Sequence, residues 1–357
     1  MRRHAMPTSL VALALGILAV TGTACGDSSG MADNVAMNAT TTTVSPGPGL
    51  LSVPVTVTTD ALGIMRAIVH VRVGGGRSVP VILDTGSAGL RILPSAVGRA
   101  VIQTGQTQTA TFGGGVQLTS AEATTTVTIG GASTPSSTQI SLIQSSSCAS
   151  GFPSCRPGEG ISDLIGDSGA DGILGVAMSD ATTAQIPYSP LLQLRAPYRN
   201  GFTLSLPADG PDSLVLGTPH ATTDTVTLPM QPATPATYPN GVPAWQKDFD
   251  LCWSVNDLHH GCGSTDLDTG GPETVITPTG LAGLTTTGEL AEGDGVSVST
   301  PSGEALWGFE ATGTLGDGLT VVDQLPGTTQ FNTGIGFFLS HVVGYNAQQG
   351  VVLVTAG

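Results

Sequence analysis

Two Asp-Thr-Gly tripeptides stand 184 residues apart, at Asp84-Thr85-Gly86 and Asp268-Thr269-Gly270. Asp84 follows the apolar run Val79–Leu83 and precedes a glycine turn, so its carboxyl is expected in a tight loop at the end of a buried strand. Each tripeptide is followed by an apolar segment centred on glycine, DGILGVAM at 171–178 and NTGIGFFLSHVVGY at 332–345. This is a weak internal repeat at about half the chain length. If the two halves pack about a pseudo-twofold axis, Asp84 and Asp268 meet. Two carboxyl groups in contact resist double ionisation and share one proton. One then acts as general base on a bound water, and the other donates to a substrate carbonyl. Thr85 and Thr269 would lie behind the pair and hydrogen-bond across the junction. Gly86 and Gly270 allow a sharp turn and a close approach of backbone N–H groups. The competing reading is structural, because Asp-Thr-Gly is also good turn chemistry.

The elements that must position these residues are short strands. VPVTVTT, MRAIVHVRV and VPVILDTGS alternate or run apolar, with GGGRS between the last two. TTTVTIGG, STQISLIQ, GFTLSLP, DSLVLG, DTVTLPM and GVVLV continue the pattern. LLQLRA near Leu191 and TGLAGL near Thr279 are the only helical signals, both short. Gly accounts for 50 of 357 residues and charged residues for 10%, as in a β-rich exported protein rather than a helical one. A net charge of −15 with only 11 Lys and Arg leaves no basic stripe for nucleic acid. No Gly-x-Ser-x-Gly elbow, phosphate loop or dinucleotide fingerprint occurs. His70, His220 and His341 carry no catalytic signal, and His259-His260 is expected in a polar, solvated loop.

The N-terminus predicts export. A basic start, Met1-Arg2-Arg3-His4, leads into an 11-residue apolar run, LVALALGILAV, right for a signal peptide and too short for a membrane span. Gly22-Thr23-Ala24-Cys25 resembles a bacterial lipoprotein cleavage site, which makes Cys25 a lipidation candidate. Ordinary cleavage after Ala24 is the alternative. Residues 1–24 are thus expected as a signal peptide and 25–50 as a flexible polar tether. With Cys25 lipidated, four cysteines remain in two locally close pairs, Cys148/Cys155 and Cys252/Cys262, expected as disulfides in an oxidising compartment. A zinc set of Cys252, His259, His260 and Cys262 fits no standard spacing.

From about Leu51 onward the sequence resembles the bilobal pepsin-like aspartic proteases, as an exported bacterial member. VPVILDTGSAGLRIL resembles the first active-site segment, and ADGILGVA the glycine segment that crosses beneath it. TATFGGG at 109–115 resembles the flap over the cleft, with Phe112 and Gly113 near its tip and TTTVTIGG as its return. GFTLSLP followed by SLVLG resembles the crossing between lobes, and AWQ at 244–246 a second-lobe strand. LDTGG carries the second aspartate, and FNTGIGFFLSHVVGYNAQQGVVLV resembles the closing segment. A DTGS-x-GLRI block is also shared with bacterial proteins of unassigned function.

The resemblance implies an all-β fold of two pseudo-twofold-related lobes, 51–210 and 211–357, around a central cleft. It implies endopeptidase chemistry at acid pH by Asp84 and Asp268, supported by Thr85, Gly86, Ser87, Thr269 and Gly270. It implies a peptide or protein substrate, no metal or other cofactor, and a monomer that meets a membrane only through the Cys25 anchor. Several positions depart from the family pattern. Phe112 stands where the flap has Tyr, and Arg91 where Trp partners that Tyr. Gly271 replaces the Ser or Thr after the second tripeptide, so Asp268 loses a hydroxyl donor that Asp84 keeps from Ser87. Asp266 and the pair Asn332-Thr333 replace apolar residues. The departures motivate a rival reading, a non-catalytic envelope protein that keeps the fold and binds peptide or glycan.

Overall fold

The structure is a computed structural model that describes residues 49–357 apart from 60–62, 153–154, 156–164, 166–167, 180–186, 208–210, 286, 314–317, 324 and 326. Cys25, the signal peptide and nearly all of the tether lie outside the described residues. Ser45–Gly357 forms one compact unit by its contacts.

The architecture is almost all β. Among the described residues, two large sheets carry the two aspartates. The first has 15 strands. Its central run passes from Leu51–Thr59 through Met65–Val73 and Ser78–Asp84 to Gly172–Val176, Ala88–Ile92 and Thr138–Cys148. It ends on the hairpin Val116–Thr125 and Ile102–Thr111. In the other direction Leu51–Thr59 pairs with Ser213–Leu216, which joins Gly201–Ser205, His341–Asn346 and Val351–Ala356. Strands from both ends of the chain therefore share one floor, and the strands on either side of residue 210 pair with each other. The second sheet has 8 strands, with His259–Asp266 between Asp248–Val255 and Phe331–Asn332.

Both aspartates are placed by the same local device. Ser78–Asp84 runs parallel to Gly172–Val176, and that strand pairs antiparallel with Ala88–Ile92, which follows Asp84 in the chain. His259–Asp266 runs parallel to Phe331–Asn332, and that strand pairs antiparallel with Thr274–Ile276, which follows Asp268. In each half a strand from far along the chain inserts between the two strands flanking an aspartate loop. The crossing must be glycine: a Cβ on Gly175 would lie 2.7 Å from the Ser87 carbonyl. Gly334, at φ +60°, would press a side chain into the Glu273 carbonyl.

The core differs between the halves. Around Asp84 it is aliphatic, built from Val69, Val71, Val79, Val81, Leu83, Leu90 and Ile92, all buried. Around Asp268 it is aromatic: Trp253 stacks on Phe331 at 5.1 Å and meets Trp307 edge-on at 6.5 Å. The Trp253 indole N–H finds Thr265 Oγ1 at 3.0 Å, which satisfies its polar end.

Two expected helices do not form as such. Pro190–Gln193 is a single 3-10 turn, and the Thr279 region folds into two consecutive turns closed by Gly280 N–H to Thr277 O and Leu284 N–H to Leu281 O. Both segments are too short for a helix nucleus to propagate. His259 and His260 open a strand rather than lie in a loop. The preceding hairpin closes through Asn256 and Asp257, both at positive φ, a conformation these two residue types tolerate.

Candidate active site

The two Asp-Thr-Gly loops meet tip to tip. A Cβ on Gly86 would lie 2.5 Å from Asp268 Cγ, and one on Gly270 would lie 2.7 Å from Asp84 Cγ. Only glycine at these two positions lets each carboxyl rest on the opposite loop. Behind them the threonines cross. Thr85 N–H donates to Thr269 Oγ1 at 3.1 Å, and Thr269 N–H donates to Thr85 Oγ1 at 2.9 Å. Each hydroxyl passes its own proton to the far strand, Thr85 to Leu267 O at 2.7 Å and Thr269 to Leu83 O at 2.6 Å. Both threonines are buried, so this four-bond square is shielded from competing water.

The carboxyl environments are related but not equal. Asp84 Oδ1 accepts from Gly86 N–H at 2.8 Å and from Ser87 N–H at 3.1 Å, and Oδ2 accepts from the Ser87 hydroxyl. Asp268 Oδ1 accepts from Gly270 N–H at 2.7 Å. Gly271 has no hydroxyl, yet Asp268 Oδ2 is not left without a donor: Asn332 Nδ2 reaches it at 2.8 Å. The expected deficit at Asp268 is therefore filled from a strand 64 residues later. Burial, then the charge of Asp268, push the Asp84 carboxyl up to about 7, against the pull of the Ser87 hydroxyl. A shared hydrogen bond with Asp268 adds to the rise.

Three ionisable side chains with distant partners escape a reading by sequence motif. Arg66, from the strand Met65–Val73, donates from Nη1 to the carbonyl of Gly270 and so ties the first sheet to the second aspartate loop. Lys247 bridges Asp248 and Asp266. Burial opposes the Lys247 charge, but the two carboxylates outweigh it and hold the ammonium up. Asp266, unexpected in an apolar position, thus shares a cation with Asp248. Glu122, on the strand Val116–Thr125, accepts from Ser141 Oγ at 3.1 Å and is pushed up to about 7, chiefly by burial. None of the three lies near Asp84 or Asp268 in the sequence, and only the tertiary packing gives Arg66, Lys247 and Glu122 these partners.

The predicted flap is the hairpin Ile102–Thr111 and Val116–Thr125, closed by Gly113–Gly115. Phe112 is half-buried at its end, while Gly113 has open space around it. The guanidinium carbon of Arg91 lies 5.3 Å from the Phe112 ring centroid. Arg91 is itself buried and donates from Nη1 to Ala88 O at 2.8 Å. The two departures from the family pattern are thus one contact, a cation on an aromatic face, worth about 0.5–2 kcal/mol. Cys148 and Cys155 form a disulfide, and its loop supports the flap: Ala149 N–H bonds Gly115 O at 2.9 Å, and Phe152 fills the space a side chain at Gly115 would need. Cys252 and Cys262, directly opposite on paired strands, form the second disulfide. Their thiols are consumed, and His259 and His260 each bond a nearby backbone carbonyl, so the zinc set does not assemble.

Residues 51–352 match the family described as PE-PGRS C-terminal aspartyl peptidase-like domain. The chain belongs to this family. No curated protein matches it. Among solved structures it is similar to the aspartic proteinase from Irpex lacteus, with a TM-score of 0.52 at 16% identity over 86% of this chain and 97% of that one. At that identity the likeness speaks for the fold, which is the pepsin-like aspartic protease fold. The aspartyl peptidase-like chain keeps that architecture.

Proposed function

We propose that this protein is an aspartic endopeptidase, with Asp84 and Asp268 as a proton-sharing pair. The observation that carries the reading is the reciprocal contact of the two loops, Gly86 against Asp268 and Gly270 against Asp84, locked by the crossed threonines. A merely structural turn aspartate has no reason to face its counterpart across a protein interface. Water attacks the peptide carbonyl carbon as one carboxylate takes its proton. The other carboxyl gives its proton to the carbonyl oxygen, and a tetrahedral diol forms. Collapse of the diol breaks the C–N bond, returns a proton to the pair, and delivers one to the leaving nitrogen. The chemistry needs one proton on the pair, so activity belongs on the acid side of about pH 7, where Asp84 holds it.

An extended peptide would pair with strand edges in the cleft, under the flap carrying Phe112. Export through the N-terminal signal, lipid attachment at Cys25 and a monomeric state belong to the same proposal. Two disulfides support an oxidising compartment. The direct test is cleavage of an unfolded protein by the full-length chain between pH 3 and 8, beside the Asp84→Asn variant. Acid-side cleavage that disappears in the variant supports the proposal. A folded wild type without activity at any pH overturns it in favour of a peptide- or glycan-binding envelope protein.

A further inference from the structure

Gly271 and Asn332 are separate departures in the sequence, but they touch the same oxygen. We propose that Asn332 is a positioning residue for the dyad, its side-chain amide holding the outer oxygen of Asp268 in the place that a hydroxyl at position 271 would occupy. The inference rests on the endopeptidase reading and names a residue that this reading does not require.

Four observations carry it. First, the backbone of Asn332 is held from both sides, parallel to Asp266 and antiparallel to Val275. Second, its amide can face only one way. Asn332 Oδ1 accepts from Gly334 N–H at 2.8 Å, so Nδ2 must be the group that faces Asp268 Oδ2. Third, the site has room for one donor. A Cβ on Gly271 would lie 3.1 Å from Asn332 Oδ1 and 3.3 Å from Asp268 Oδ2. A hydroxyl there could reach the carboxylate only by crowding the amide out. Fourth, the matching position in the first half does nothing of the kind. Ile173, two residues before Gly175 as Asn332 is two before Gly334, is buried among Ile68, Ile82 and Leu118, and Ser87 serves Asp84 instead.

The change of donor has a chemical consequence. A serine hydroxyl can rotate to donate to a carboxylate or to accept from a carboxylic acid. An amide NH₂ with its oxygen already engaged can only donate, so it favours charge on the oxygen it faces. The other groups facing Asp268 are Asp84 across the dyad, Asp266 with Lys247 and Asp248 behind it, Arg66 at the Gly270 carbonyl, and the buried Tyr345 phenol. Of these contacts, the Asn332 amide supplies the side-chain donor to Oδ2.

The test measures kcat and KM against pH for full-length wild type, Asn332→Leu, Asn332→Asp and the double variant Gly271→Ser/Asn332→Ala, with circular dichroism and thermal melting to show folding. Losing a donor to a charged group is expected to lower kcat in Asn332→Leu about 10–100-fold, and to move the acid limb of the profile up by about one pH unit or more. KM should change little. Asn332→Asp should work on the acid side and fail steeply as its own carboxyl ionises and repels Asp268. The double variant should regain activity over Asn332→Leu by restoring a hydroxyl. Folded Asn332→Leu with an unchanged kcat and profile overturns the inference, as does a loss that leaves the profile unmoved and is not rescued. If wild type cleaves nothing, the endopeptidase reading fails, and melting decides the Asn332 question. A gap between wild type and Asn332→Leu that widens from pH 3 to pH 6 supports a donor to a carboxylate, and an equal gap at both overturns it.

Discussion

The two halves solve one problem with different residues. Each must hold an aspartate at the end of a strand, under a glycine crossing, with a donor on each carboxyl oxygen. The first half uses nearby residues: Gly86 and Ser87, two and three positions after Asp84, donate to both of its oxygens. The second half uses Gly270 for one oxygen and reaches to Asn332 for the other. The cores differ in the same sense, aliphatic around Asp84 and aromatic around Asp268. What is shared is geometry: the inserted strand, the glycines at contact, and the crossed threonines. The comparison teaches that the backbone arrangement is the invariant of this site, while the donor to a given oxygen can come from any strand that the arrangement brings near.

The largest test of equivalence is at the aspartates. Asp84→Asn and Asp268→Asn should each reduce cleavage by about 10²–10⁴-fold or more, because neither half alone can both take and give a proton. A large loss in one and a small loss in the other would break the dyad into a catalytic and a structural carboxylate. The first half also has a pH signature. Asp84 binds its proton more tightly folded than unfolded, at about 7 against 3.8, so its contribution to stability is full below 3.8 and is lost as pH rises through about 7. Asp84→Asn should therefore melt above wild type near pH 8, with the gap closing below about pH 4.

The disulfides separate the halves at the next level. Each closes a short loop, with sequence separations of 7 and 10, so removing either by Cys→Ser replacement should cost roughly 2–3 kcal/mol in denaturant unfolding. Only loss of Cys148–Cys155 should also raise KM, because that loop supports the flap at Gly115. The threonines should behave alike: Thr85→Ala and Thr269→Ala each leave buried groups of the square unpaired, at about 1–3 kcal/mol, read from melting at fixed pH. An unequal pair would mean that one loop is held by something besides the crossing. The smallest effect is at the flap. Phe112→Leu should cost about 0.5–1 kcal/mol, seen as a few-fold rise in KM with kcat nearly unchanged, since it removes the ring under Arg91 but no group near the carboxyls.

The sequence by itself determined a great deal. Period-two apolar runs broken by glycine and proline announced an almost all-β chain, because alternation alone marks a strand with one face buried. The repeated Asp-Thr-Gly, each with a later glycine segment, marked both loops and the strands that cross beneath them. Local signals reached as far as local chemistry reaches: Ser87, Gly86 and Gly270 bond the aspartate two or three residues away. The internal repeat also paired Asp84 with Asp268 and Thr85 with Thr269; what only the tertiary structure decided is the distant contacts that no repeat marks. Sequence spacing could mark Gly271 as a lost donor and Asn332 as a misplaced polar residue, but not that one answers the other. Likewise Arg91 and Phe112 read as linked departures at partnered positions, but their cation–ring contact came only with the fold, and Asp266 reads as a charge in a core position until Lys247 is beside it. A buried polar group must find a partner, but pattern along the chain does not say which one. That choice is made when the sheets pack and fix which side chains share a few ångströms of space.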